Sequence, residues 1–308
     1  ADILPLNYSR IQCAHIYPTP GRLSTAFLFE APKGKWGIVV QMKRVCRIAL
    51  MTLWGALFMM VCPPADASAA PMPVRMKFAD GQVVCQILPS GEAVPDLLQT
   101  VLPVAVRTAL DEIGPPPQPA VLTLRLQKPP PFYKRALLLF PSDVLATQEG
   151  DEIRLQPGRD PLKLAFRLGH ELSHWLLYKR HPARPPLWLD EGLANHLGAA
   201  AAEAAARPLG QTVERPVPDR IGPHLQPLDD LVARRTYPRP PAEVGAFYWQ
   251  AETLVTALRE KLGRDAFQEY LALMAVPEPP EWNTPLRERW YFNDADFRWL
   301  ADRILQAP

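Results

Sequence analysis

Polar and apolar positions change rhythm along this chain. From about residue 74 they alternate in "VRMKFADGQVVCQIL", which reads as two strands joined at Asp80-Gly81, a turn pair that accepts left-handed backbone. The next stretch, "PDLLQTVLPVAVRTALDEIG", spaces its apolar residues three and four apart and reads as a helix stopped by Gly114. Short β-type runs follow, "VLTLRLQ", "RALLLF" and "DEIRLQP", separated by proline and glycine, and the order along the chain makes "EIRLQ" the expected sheet edge. Asp160-Pro161 then supplies a helix cap and a proline at the first helical position. That helix is expected to stop before Pro182.

Helical spacing dominates the remainder. A second helix is expected from Leu189 to Ala206 and a long one over "AEVGAFYWQAETLVTALREKLG", stopped at Gly263. "RDAFQEYLALMA" and "ADFRWLADRILQ", the latter capped by Asp294, complete the set. No repeat is present. A small sheet region followed by helices is an α+β layout, with residues 70–160 as a β-rich part and 161–308 as a helical part.

Composition narrows the reading. The chain has 308 residues, 48% hydrophobic and 21% charged, which suits one or two globular domains. A net charge of +2, with no long basic run, argues against nucleic acid as a partner. The 37 prolines fall in clusters such as "GPPPQP", "HPARPP" and "YPRPPAE", which read as stiff connectors between short elements.

The N-terminal region has a different character. From Met42 there is a basic start (Lys43, Arg44, Arg47), an apolar run from Ile48 to Val61, and small residues ending at Ala67-Ser68-Ala69. That is the layout of a secretory signal peptide over 42–69, cleaved after Ala69. The apolar run is shorter than the about 20 residues of a membrane span. The expectation is an exported protein, periplasmic or secreted, with no stable span once the signal is removed; an uncleaved N-terminal anchor is the alternative. Residues 1–41 show no periodicity and read as an over-extended start. Cys13, Cys46 and Cys62 precede the cleavage point, so Cys85 stands alone without an internal disulfide.

The candidate chemistry lies in "LGHELSHWLLY". His170 and His174, four apart on a helix, project from one face about a turn apart. Two imidazoles so placed can grip one Zn²⁺, and Glu171 can reach a water on the same metal. Ala165, Leu168, Leu172 and Leu176 form an apolar stripe that buries another side of this helix. A catalytic zinc takes three protein ligands and keeps one position open. The third ligand has several candidates: His181, Asp190 and Glu191. The metzincin pattern fails, because it requires a histidine where Arg180 stands and a glycine where Leu177 stands.

"PLWLDEGLANHL", across a proline-rich turn from the first motif, decides the family resemblance. The pair of elements resembles the gluzincin zinc peptidases, whose His-Glu-x-x-His helix is followed by a helix bringing a glutamate. The likeness covers roughly residues 150–275. It implies a zincin-like fold, one Zn²⁺ per chain, and Glu191 as third ligand. Asn195 stands where some gluzincins carry an Asp that supports a histidine ligand. A tyrosine that steadies the transition state opens a helix in gluzincin aminopeptidases, with a glycine 15 positions later; Tyr248 and Gly263 stand at that interval. Tyr237 and His224 are alternatives for the same role. The Gly-x-Met-Glu-Asn sequence that anchors a substrate's free amine is absent, which favours an endopeptidase.

The resemblance thus implies an exported zinc metallopeptidase acting on peptide or protein substrates, with Glu171 as general base and Tyr248 as oxyanion donor. Two rival readings stay open. One is a non-catalytic binding module on the same fold, which Glu171 argues against, since a structural zinc site has no use for a base. The other is a zinc hydrolase of a non-peptide amide such as a cell-wall linkage.

Overall fold

The structure, a computed structural model, describes residues 73–88, 95–127, 146–156, 158–213, 221–239 and 241–306. The expected signal peptide, the residues before it and the strand expected in "RALLLF" lie outside the described residues.

Strands β1 (Val74–Phe78) and β2 (Val83–Leu88) form the first hairpin, with Val74 opposite Ile87 and Phe78 opposite Val83. Its turn is one 3-10 turn in which Ala79 and Asp80 take positive φ, 48° and 52°, ahead of Gly81 at 89°. Helix α1 (Asp96–Ile113) then crosses back, so that β3 (Ala120–Leu126) lies parallel to β2. Strands β4 (Ala146–Glu149) and β5 (Glu152–Leu155) make a second hairpin around Gly150, and β5 runs parallel to β3.

The sheet order is β1-β2-β3-β5-β4. This corrects one expectation: "EIRLQ" does not form the sheet edge, because the unanticipated β4 lies outside it. "ATQE" carries three polar residues, no aliphatic alternation and too few positions to read as a strand.

One face of the sheet is dry. Val83, Cys85 and Ile87 of β2, Leu122, Leu124 and Leu126 of β3, and Ile153 and Leu155 of β5 are buried there. Leu98, Leu102, Ala105 and Ala109 of α1 are buried in the same core. Each buried aliphatic side chain contributes about 1.5–3 kcal/mol relative to exposure. A one-residue slip in register would turn this whole set to water, so the pattern selects one pairing. Cys85 sits within it, and burial pushes its thiol up to about 12.

The helical half comprises α2 (Pro161–Arg180), α3 (Leu187–Leu209), α4 (Leu228–Ala233), α5 (Pro241–Leu262), α6 (Arg264–Met274), α7 (Thr284–Trp290) and α8 (Asp294–Leu305). Helices α4 and α7 were not expected; each spans at most two turns, too short for a periodic signal. The cap of α8 is a second correction. Asn293 caps it, accepting from the Ala295 and Asp296 amides, while the Asp296 carboxylate accepts from the Asn293 amide. That reciprocal box needs an acid three residues after the cap, and only the Asn293/Asp296 spacing provides it. Asp294 is the first helical residue and pairs with Arg287.

Small residues bring the helices close. A Cβ on Gly169 would lie 2.6 Å from the Leu197 carbonyl oxygen, so α2 and α3 touch at backbone distance. Gly192 likewise abuts the Ala251 carbonyl, seating α5 against α3. Glu112 at the end of α1 holds the far side, receiving Arg259 of α5 on its carboxylate and Gln268 of α6 on its carbonyl. The result is the expected α+β architecture, a small mixed sheet followed by a mainly helical half. Among the described residues no helix is long and apolar enough to cross a membrane.

Candidate metal centre

Helix α2 is well founded at its start. The Asp160 carboxylate accepts from the Leu162 and Lys163 amides at 3.0 and 3.1 Å, ahead of Pro161. Its buried stripe includes Ala165, Leu168, Leu172 and Leu176, and this burial turns His170 and His174 toward α3. Their Nε2 atoms stand 3.3 Å apart. Glu191, in the second turn of α3, brings its Oε2 to 3.5 Å from Nε2 of His170 and 3.8 Å from Nε2 of His174. Donor atoms of the three residues lie within 4.8 Å of one another, and all three side chains are buried.

The far side of each imidazole is engaged. His170 Nδ1 meets Asn195 Oδ1 at 3.0 Å, and His174 Nδ1 meets Asp190 Oδ1 at 2.8 Å. Each acceptor requires a proton on Nδ1, which leaves the Nε2 lone pairs facing inward. Glu191 Oε2, aimed at the same point, is buried with no hydrogen-bond partner. Two lone pairs and an unsatisfied carboxylate oxygen converging in a dry site are unfavourable unless a cation lies among them. Two imidazole nitrogens and one carboxylate oxygen fit Zn²⁺ in its catalytic form.

The electrostatics match that fit. Burial, reinforced by the charge of His174, drives the His170 pKa down to about 3. Burial also opposes charge on His174, but Asp190 and Glu191 outweigh it and hold its pKa up at about 9. Near neutral pH the pair therefore carries one proton beyond the two on its Nδ1 atoms, on His174 Nε2, in the place a metal would take. Asp190 stays below the usual carboxylate range although burial opposes it, because His174 and Arg184 face it. Burial and Asp190's charge raise Glu191.

Glu171 is buried beside the ligands. Burial, with Glu191's charge adding to it, pushes its carboxyl up to about 7; the charge of His174 and a bond from the Gln148 amide pull the other way. Its Oε2 has no partner. A carboxylate with a pKa near the working pH is suited to taking and returning a proton.

The other expected residues fall in different places. Tyr248 lies in α5, 3% exposed in the core, with its ring edge-on to Phe247. Tyr237, from the segment between α4 and α5, reaches the site itself, its hydroxyl donating to Glu191 Oε1. His224 ends a 3-10 turn, and His181 is the C-cap of α2; neither belongs to the donor group. Asp190 stands behind His174 rather than among the donors. That role was open to reasoning, since each ligating imidazole needs an acceptor behind it and Asp190 and Asn195 flank Glu191 on one helix. Gln148 and Arg184 were not anticipated. Gln148 sits in a strand without a sequence signal, and Arg184 in a proline-rich turn.

No protein-family model and no curated protein matches this sequence. Among solved structures, an M1 zinc metallopeptidase from Deinococcus radiodurans is similar at 18% identity and a TM-score of 0.44, over 77% of this chain and 52% of that one. A mutant of it bound to a Tyr-Ser-Ala substrate is similar at 18% identity and a TM-score of 0.41, over 77% and 53%. The chain thus spans about half the length of these proteins.

Proposed function

We propose that this chain is a zinc-dependent metallopeptidase that is exported and cuts within peptide chains. The observation that carries the reading is the convergence of His170, His174 and Glu191 on one point with Glu171 beside them. His170, His174 and Glu191 would hold Zn²⁺, which would supply a Lewis acid for a substrate carbonyl and for a water of pKa about 7. Glu171 takes the proton of the attacking water and passes it to the leaving amine. A tyrosine hydroxyl donates to the developing oxyanion: Tyr248 by the resemblance, with Tyr237 as the alternative whose hydroxyl already lies at the site. The outer side of β4, the outermost strand among the described residues and next to Glu171, offers backbone groups to an extended substrate. Export rests on the signal-like layout from Met42, and internal cleavage on the missing amine-anchoring motif.

The deciding experiment is zinc per chain by elemental analysis, wild type beside Glu191→Ala. About one zinc in the wild type and a clear loss in the variant support the reading and justify a peptide screen. Zinc retained by the variant moves the third ligand away from Glu191. A folded wild type that takes no zinc turns the site into that of a binding module.

A further inference from the structure

Arg184 lies in the proline-rich turn between α2 and α3, its side chain about one-third exposed. Its guanidinium reaches two groups at once. One nitrogen donates to Gln148 Oε1 at 3.0 Å, and another faces Asp190 Oδ2 at 3.6 Å. Each of those groups serves a different part of the site. Asp190 uses its other oxygen to fix His174. Gln148, buried on β4, gives its backbone N–H to Glu171 and anchors its own amide nitrogen on the Gly150 carbonyl at 2.7 Å. A single planar fork thus spans the partner of a ligand and the strand that holds the base. A planar guanidinium suits two acceptors in this way; a point-charge ammonium does not.

We propose that Arg184 is a positioning residue that ties strand β4 to the carboxylate behind His174, and so holds the Glu171 carboxylate and the His174 imidazole in one frame. Its charge also counters the three buried carboxylates Glu171, Asp190 and Glu191. This rests on the zinc peptidase reading, but the tie itself is present in the protein without metal.

The test compares full-length wild type, Arg184→Lys and Arg184→Met. Five quantities are read: zinc affinity by chelator competition, the visible spectrum of the Co²⁺-substituted protein, kcat and KM on a peptide, and deuterium uptake at Gln148 in the metal-free protein. Arg184→Met is expected to weaken zinc about 10-fold, at the low end for a lost supporting partner. It should also change the cobalt spectrum, lower kcat about 10-fold with KM nearly constant, and speed exchange at Gln148. Arg184→Lys should recover zinc affinity through its charge while kcat stays low and exchange stays fast. Unchanged zinc affinity and unchanged exchange in a folded Arg184→Met overturn the proposal; so does full recovery of every quantity by lysine, which would reduce Arg184 to a charge. If the methionine variant does not fold, the lysine variant decides alone, with wild-type kcat and exchange counting against the tie. A wild type without zinc sinks the peptidase reading, and exchange at Gln148 still decides on Arg184.

Discussion

Helices α2 and α3 bring His170, Glu171, His174, Asp190, Glu191 and Asn195 together along one close-packed contact, whereas Tyr237 and Arg184 reach the same pocket from irregular backbone. The helical side has its geometry dictated by residue spacing. Once each helix is formed, the directions of its side chains follow. The irregular side depends on where the chain happens to run, so each contact there is an independent fact of the fold. The helical side should therefore carry the reaction, and the irregular side should tune it.

The sharpest way to break this contrast is Glu171→Gln, which keeps shape but removes the base. Zinc content should stay near one per chain while hydrolysis falls by more than about 10³-fold, within the range attributed to general base and proton transfer combined. Retention of most activity would take Glu171 out of the mechanism.

The next effect is smaller and asks whether one loop tyrosine rises above tuning. Of Tyr248→Phe and Tyr237→Phe, the variant that loses an oxyanion donor should lose about 10²–10³-fold in kcat. A loss of less than about threefold for Tyr248→Phe would assign that residue to the core, where Phe247 already packs on it.

The smallest effect is graded with pH. A zinc ion bound as proposed would have to displace the proton that Asp190 and Glu191 hold on His174, whose pKa is raised from 6.5 to about 9. Apparent zinc affinity should rise about 10-fold per pH unit from about 7 toward 9 and then flatten, as one released proton requires. In the metal-free protein the sign is opposite for stability. A raised histidine pKa stabilises the fold fully below 6.5, and this contribution is lost as pH rises through about 9. Titration calorimetry in buffers of different ionisation enthalpy counts the proton. A pH-independent affinity over this range would place the proton elsewhere.

How much of this was legible beforehand follows the same division. The ladder of apolar residues around His170 and His174, the cap at Asp160 and the stop at Gly263 are local signals, and the helices they announce are present. Glu191 was found through its neighbours in "WLDEGLA". Strand β4 was not, because edge position and short length leave it no alternation to read. Tyr237 was named only as an alternative, since nothing local tells a loop tyrosine which carboxylate it will meet. Arg184 was invisible for the same reason, as its partner on β4 is remote in sequence.

The close contact at Gly169 has a consequence for how the site fails. Within six residues of α3, Asp190, Glu191 and Asn195 all read atoms on α2, like the marks of a vernier scale. Sliding one helix by a single residue moves it about 1.5 Å and turns it about 100°, which misaligns every mark together. Zinc affinity, on the proposed reading, would accordingly be a gauge of helix register. Bulk added at the glycine contact should abolish it abruptly, without altering any atom that touches the metal.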